Sequence, residues 1–365
     1  MTINAWNEVN AASLLRLMVE KKASDLHLEA DSPPVLRIDG DLITQTLPAL
    51  NDEAMNAILA EATCEEQRDR FRREEELDFA FSVEGIGRFR VNAGLQRGSV
   101  VMAFRLVSET IPTLADLGLP DICGSLALLP RGLVLVTGPT GCGKSTTLAA
   151  MIDHLNEREN RHVITIEDPI EYVHGNKKCL ISQRELGSDT LSFADALKHA
   201  LRQDPDVILV GEMRDLDTIG AALTAAETGH LVLATLHTPG APQTIDRIID
   251  VFPPYQQQQV RVQMSLVLEA VLCQTLVPRA GRSGRIPAVE VMTATSAVRN
   301  LIREGKTHQL LNVIQTGAQY GMRTLDQALL SLCQDGEISA EDALARSQDT
   351  DEMRRYLRLG DSAAA

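Results

Sequence analysis

Gly138, Gly143, Lys144 and Ser145 stand in the spacing G-x-x-x-x-G-K-[ST], between the apolar run Leu133-Val134-Leu135-Val136 and a helix-forming run. That spacing does one kind of chemistry well. Glycines let successive backbone N–H groups curl around phosphate oxygens without a Cβ in the way, and a helix beginning near Lys144 turns its positive end toward them. Lys144 is then placed to neutralise β- and γ-phosphates, and the Ser145 hydroxyl to bind Mg²⁺. Gly138, Pro139, Thr140, Gly141, Cys142, Gly143, Lys144, Ser145 and Thr146 are accordingly expected to hold a nucleotide, ATP by the γ-phosphate reach of the lysine. A glycine-rich turn with no such role would not need the Lys-Ser pair in a strand-loop-helix setting.

Three further strand ends carry polar groups. Val207-Ile208-Leu209-Val210 reads as a strand buried on both faces, with Gly211-Glu212 at its C-terminal end, where ligands bind in open α/β sheets. Glu212 is a candidate for the Mg²⁺ shell, through water, because a P-loop protein more often places Asp there. Val163-Ile164-Thr165-Ile166 runs into Glu167-Asp168-Pro169-Ile170-Glu171, an acidic cluster able to orient and deprotonate a water; the residues alone do not choose which carboxylate does so. Thr235-Leu236-His237-Thr238 ends the third strand and offers an imidazole that could sense a γ-phosphate or serve structure only.

These motifs need a parallel sheet to bring them together, and the order of signals supplies one. Strands at 133–136, 162–166, 207–210 and 231–235 alternate with helices starting at Lys144 and Ser192 and around 215–228. Past Val289 strand signals fade, and 298–302, 325–332 and 340–345 suggest a helical cap ending in a frayed tail at Ser362. Before the sheet, Leu14, Leu15, Met18 and Val19 recur at helical spacing, Asp39-Gly40 reads as a hairpin turn, and Asn51 can cap a helix that continues, exposed, through the charged 65–76 stretch. Residues 77–107 alternate as an antiparallel meander with turns near 85–87 and 94–98. The expected division is a small α+β domain over 1–107, a Pro/Gly-marked linker over 108–120, an ATPase core over 121–289 and a helical subdomain over 290–365.

With 365 residues and 44% hydrophobic content, the chain can build two packed cores. A net charge of −15 opposes a broad nucleic-acid footprint, and no basic, aromatic-interleaved stretch offsets it. Six cysteines without a C-x-x-C pair suggest neither zinc nor a disulfide framework, which fits a cytoplasmic protein. The first eight residues lack signal-peptide character, and no run is long and apolar enough for a membrane span, so any membrane connection is expected to pass through a partner.

Taken in order, residues 138–147, 164–174, 204–215 and 235–247 resemble the Walker A, Asp box, Walker B and His box of the secretion ATPase superfamily, and most nearly the PilT/PilU branch of type IV pilus retraction motors. The segment Ala297-Val298-Arg299-Asn300-Leu301-Ile302-Arg303-Glu304 is similar to the retraction signature A-I-R-N-L-I-R-E, with one Ile to Val change. The resemblance implies a RecA-like P-loop ATPase core with a helical C-terminal cap, preceded by a small α+β PAS-like N-terminal domain. It also implies that Glu171 is the catalytic base and that the chain forms a homohexamer with sites near subunit boundaries. Arg90 and Arg105 are the matching candidates for arginines supplied in trans. Arg299 and Arg303, four apart on a helix, would share a face able to contact a partner or neighbouring subunit. Implied partners are an inner-membrane pilus platform protein and a paralogous retraction ATPase, with the protein peripheral at the inner membrane on its cytoplasmic side. Assembly-type relatives usually carry an extra N-terminal domain and a four-cysteine zinc motif, and their absence here favours retraction. The region at 85–89 and the tail at 336–344 look PilU-like, whereas the 299–304 signature looks PilT-like, so an accessory PilU-type role is the alternative; a RecA-like nucleic-acid translocase is the alternative of another class. Cys142 stands where the family commonly has Ser, a position that contributes mainly its backbone N–H.

Overall fold

A computed structural model of the chain describes residues 10–38, 40–108 and 110–357. Asp39, the first eight residues and the tail at Ser362 lie outside the described residues. The chain divides into two compact units, Met1–Glu109 and Thr110–Ala365.

The first unit contains helix α1 (Ala11–Glu20), strands β1 (Asp25–Leu28), β2 (Val35–Ile38) and β3 (Asp41–Thr44), helices α2 (Asp52–Ala62) and α3 (Glu65–Glu74), and strands β4 (Leu77–Val83), β5 (Gly87–Gln96) and β6 (Ser99–Leu106). The strands form one antiparallel sheet in the order β3-β2-β1-β6-β5-β4. Leu14, Leu15 and Met18 of α1 and Met55, Ile58 and Leu59 of α2 bury against the sheet residues Leu26, Phe89, Val91 and Phe104. Asn10 and Asn51 cap α1 and α2 by accepting the Ser13 and Ala54 N–H groups. The charged 65–76 stretch is helical but does not continue α2. Thr63 is extended, and the Arg68 guanidinium turns back to the carbonyls of Ala60 and Thr63, satisfying the end of α2 and letting α3 start separately. Gly94 lies within β5, and the turn expected there is made by Arg97 and Gly98, both at positive φ (53° and 88°), as a two-residue hairpin requires.

The second unit runs α4 (Ile122–Ala127), β7 (Gly132–Thr137), α5 (Lys144–Asn156), β8 (His162–Glu167), β9 (Leu180–Glu185), α6 (Phe193–Ala200), β10 (Val207–Val210), α7 (Leu216–Glu227), β11 (Leu231–Leu236), α8 (Ala241–Asp250), α9 (Pro254–Val267), β12 (Leu268–Pro278) and β13 (Arg285–Thr293). It finishes with α10 (Ser296–Arg303), α11 (Leu310–Thr316), α12 (Leu325–Gln334), α13 (Ala340–Arg346) and α14 (Thr350–Tyr356). Its sheet has the order β13-β12-β7-β11-β10-β8-β9, parallel throughout except for the β12–β13 hairpin. Helices α6 to α11 supply the apolar side chains on one face and α4 and α5 those on the other, so β7, β10 and β11 are continuous buried runs. Leu325, Leu329, Ile338, Ala343 and Met353 of the helical end pack on Val277, Ile286 and Ala288 of the β12–β13 hairpin.

Three strands go beyond the sequence expectation. β9 is a mostly half-buried strand at the sheet edge whose last four residues are polar, β12 follows α9 without a break, and β13 extends past Val289 to Thr293.

Candidate active site

The loop after β7 closes on itself through its glycines. Gly138, Gly141 and Gly143 have φ of +133°, +77° and +89°. A Cβ on Gly138 would lie 2.2 Å from the Gln274 carbonyl oxygen, so the loop fits against β12 only with glycine there. Gln274, almost fully buried, is a second support. Its Nε2 donates to the Cys142 carbonyl (2.6 Å), and its Oε1 accepts from the Thr147 hydroxyl (3.0 Å), tying the loop and the first turn of α5 to β12. Sequence reasoning missed Gln274 because it is 130 residues away and sits in a strand without a local motif; a lone amide within the apolar run Val271-Leu272-Cys273 was the available signal. Lys144 begins α5, is 9% exposed, and donates from Nζ to the carbonyls of Gly138 (2.9 Å) and Pro139 (3.1 Å). Ser145 and Thr146 follow in the first turn, where Thr146 Oγ1 meets the Tyr172 hydroxyl at 3.1 Å.

The parallel strands then place three polar groups beside Lys144. β11 lies between β7 and β10, so His237, one residue past its end, faces both the loop and Glu212. His237 Nδ1 is 3.4 Å from Lys144 Nζ and 3.4 Å from Thr140 Oγ1, and its Nε2 is 3.3 Å from Glu212 Oε2. An ammonium only donates, so Nδ1 is the accepting nitrogen toward Lys144 and Nε2–H points to the carboxylate. Arg214, which sequence reasoning also missed, grips Glu212 with two bonds, Nε to Oε1 and Nη2 to Oε2, both 2.7 Å. These bonds hold the Glu212 carboxyl below the usual carboxylate range, against the opposing effect of burial and with help from His237. Gly211 permits this packing: a Cβ there would come within 3.1 Å of the Glu167 Cα and the Ile166 carbonyl oxygen.

The acidic loop is organised from β9. Glu167, at the end of β8, accepts from the Thr165 hydroxyl (2.6 Å) and Gln183 Nε2 (3.1 Å), and burial pushes its carboxyl up. Gln183 also donates to the Tyr172 carbonyl (2.8 Å) and accepts the His174 N–H (2.8 Å), while Glu185 accepts the Ile170 N–H (3.1 Å). The Asp168–Pro169 peptide is cis. Glu167 is thus an anchor within the fold, whereas Glu171 is exposed. His174 at the loop's end is half-buried, and that desolvation lowers its pKa to about 4.

The remaining candidates belong to other elements. Arg90 and Arg105, in the first unit, are directly opposite on β5 and β6, and Asp25 on β1 is opposite Arg105. Arg105 Nε donates to Asp25 Oδ1 at 2.7 Å, and Arg90 is exposed. Burial raises the Asp25 carboxyl, but bonds from Ser24 and Arg105 outweigh it and leave the pKa lowered. Arg299 and Arg303 share a face of α10, as the four-residue spacing requires, but their surroundings differ. Arg299 is spent within its own chain, donating to the carbonyls of Ala294 (2.9 Å), Ser265 (3.1 Å) and Leu266 (3.0 Å) and to Glu269 (3.0 Å). Arg303 is exposed, with one 3.4 Å contact to the Ser265 hydroxyl. An open contact face therefore includes Arg303 and excludes the Arg299 guanidinium.

The family model for the type II/IV secretion system protein matches residues 8–345. The chain is 49% identical over 340 residues to the type IV pilus retraction ATPase PilT of Pseudomonas aeruginosa, covering 93% of this chain and 98% of the relative. It is 46% identical over 352 residues to the type IV pilus ATPase PilU of the same organism, covering 96% and 92%. The crystal structure of the pilus retraction motor PilT with bound ADP aligns with a TM-score of 0.89 at 46% identity, over 95% of this chain and all of that one. The likeness runs along nearly the whole chain, which belongs to the type II/IV secretion system protein family and, within it, to the PilT/PilU branch.

Proposed function

We propose that this chain is a P-loop ATP hydrolase that works as a homohexameric motor of type IV pilus retraction and twitching motility. The observation that carries the reading is the continuous polar line Lys144–His237–Glu212–Arg214 across three neighbouring strand ends. It joins a phosphate-binding ammonium to a carboxylate through an imidazole, so a γ-phosphate that draws Lys144 away also frees the His237 nitrogen.

Residues 138–146 bind the nucleotide, with Lys144 on its β- and γ-phosphates. Both Glu212 oxygens already carry guanidinium N–H groups, so the donor set fits Mg²⁺ with Ser145 in direct contact and Glu212 acting through water. Mg²⁺ would offset phosphate charge there. Glu171, which the resemblance to the secretion ATPases singles out, is the general base: it is exposed, as Asp168 is, whereas Glu167 is bonded to Thr165 and Gln183. His237 reports the γ-phosphate to Glu212, and Arg90 and Arg105 of a neighbouring subunit stabilise the charge that develops during transfer. Four functional blocks are proposed: 1–107, the 108–120 linker, the 121–289 core and the helical 290–365 end.

The proposed partners are an inner-membrane pilus platform protein, approached from the cytoplasm and touched through Arg303, and a paralogous retraction ATPase. Among the described residues no helix is long and apolar enough to cross a membrane. The net charge of −15 disfavours the nucleic-acid translocase reading. The test pairs Lys144→Ala with Glu171→Gln. The first is expected to remove tight ATP binding, the second to keep binding and stop turnover, because the lysine meets phosphate in the ground state and the base acts only as water attacks. Wild-type hydrolysis in Glu171→Gln would pass the base role to another carboxylate. Retraction imaging of a deletion strain carrying this chain then separates the main motor from an accessory one.

A further inference from the structure

The His237 strand end leads, three residues on, into α8, and that helix starts without a side-chain cap of its own. Its first N–H, from Ala241, is instead taken by Glu290 Oε1 at 2.7 Å, from the middle of β13. Glu290 is 1% exposed. Its Oε2 is buried without a hydrogen-bond partner, and burial raises its carboxyl; α12 begins at Leu325, just past Arg323, the residue that pairs with the strand beside Glu290. One buried acid is thus held at the N-terminus of α8, where a backbone N–H and the helix dipole oppose its burial cost. The strand around it is fixed from the same side: Val291 and Arg323 exchange backbone hydrogen bonds at 2.9 and 3.1 Å, and Arg323 Nε donates to the Val289 carbonyl at 2.8 Å. One residue further along α12, Asp326 accepts the N–H groups of Gln348 (2.7 Å) and Asp349 (2.8 Å), and Asp349 caps α14.

We propose that Glu290 is a positioning residue that couples the nucleotide-sensing loop to the C-terminal helices, the route being His237 loop, α8, Glu290, α12, Asp326 and α14. The idea rests on the ATP-hydrolysing reading of the site. A shift of residues 237–240 when His237 meets a γ-phosphate moves the Ala241 N–H and with it Glu290, whose strand is tied at the next residue, Val291, to Arg323 directly before α12. Gly240 leaves space for that motion: a Cβ there would lie 2.4 Å from Gln243 Oε1 and 3.5 Å from Glu290 Oε1. The driving difference is the tighter fit of one arrangement to bound ATP.

The experiment compares backbone amide exchange at Leu325, Gln348 and Asp349 in the full-length protein, with and without a non-hydrolysable ATP analogue, alongside steady-state kinetics. In the wild type the analogue is expected to change protection at all three amides. In Glu290→Gln, KM should stay within about twofold while kcat falls about tenfold, the range typical of coupling between sites, and the three amides should stop responding. Asp326→Asn keeps Glu290 in place and should preserve the response at Leu325 while losing it at Gln348 and Asp349. Thr324→Ala removes the cap of α12 alone and should leave the response intact. A wild-type response in Glu290→Gln, a response at Gln348 and Asp349 in Asp326→Asn, or an equal loss in Thr324→Ala each overturns the route. A wild type that binds the analogue without any change at these amides overturns it too, whereas a wild type that neither binds nor hydrolyses ATP overturns the ATPase reading itself.

Discussion

Replacing Arg299 with Ala should destabilise the second unit by about 2–4 kcal/mol, whereas Arg303→Ala should cost under about 0.5 kcal/mol. The difference follows from what each guanidinium holds. Arg299 makes four contacts between 2.9 and 3.1 Å, two of them to the carbonyls of Ser265 and Leu266 in the last turn of α9, where no intrahelical N–H is available. A hydrogen bond to a charged group contributes roughly 1.5–3 kcal/mol, and water can replace part of the set because the side chain is 25% exposed, so the four do not add in full. Arg299→Lys retains the charge but not the planar fork, and should recover about half of the loss. Urea unfolding followed by a probe in the second unit measures the effect. An Arg299→Ala midpoint indistinguishable from wild type would refute the capping argument. It follows that the double replacement of Arg299 and Arg303 confounds stability with coupling, and that Arg303→Ala alone is the clean test: fold and hydrolysis retained, retraction lost.

Gly138→Ala should lower nucleotide affinity by at least about 100-fold, since its backbone conformation excludes a side chain and the new methyl meets a carbonyl at 2.2 Å; Gly141→Ala, with open space around the methyl, should cost about 1 kcal/mol of stability. Titration with a fluorescent ADP and thermal melts check the pair. His174, held near pKa 4 by burial against an ordinary 6.5, binds its proton less readily folded than unfolded, so its contribution to stability is complete above pH 6.5 and is lost as pH falls toward 4. That gap corresponds to roughly 3 kcal/mol, and His174→Gln should flatten the stability profile across the window. Mixed rings of Arg90→Ala/Arg105→Ala subunits with Glu171→Gln subunits should regain part of their hydrolysis, because some interfaces then hold both intact groups; no recovery in proven mixtures counts against arginines acting in trans.

The legible parts of the sequence were those where one local pattern fixes both element and position. Leu133-Val134-Leu135-Val136 and Val207-Ile208-Leu209-Val210 read as strands because burial on both faces removes any polar alternation, and the glycines and lysine of the loop between β7 and α5 are dictated by a ligand rather than by packing. Leu180-Ile181-Ser182-Gln183-Arg184-Glu185 gave no such signal, since an edge strand buries little and Gln183 and Glu185 serve a loop sequence-distant by about ten residues. Leu268 continues from α9 with no Gly or Pro to mark the change to β12. Gln274 and Glu290 were unreadable for a common reason: each acts on backbone or side-chain groups brought near by the sheet, and no spacing along the chain announces that. The exposed face expected at Arg299 failed in the same way, because four-residue spacing fixes which residues share a face and not what that face meets.

The acidic loop is held by β9, and β9 is the outermost strand, paired on one side alone with β8. An outermost strand is the cheapest part of a sheet to peel away on warming. The groups that fix Glu171 in place therefore let go while the central strands, with helices on both faces, remain intact, and heat should silence turnover several degrees below the melting of the domain. The working temperature of such a motor is set at residues 180–185, where substitutions can stiffen or loosen the edge without touching any group that meets ATP.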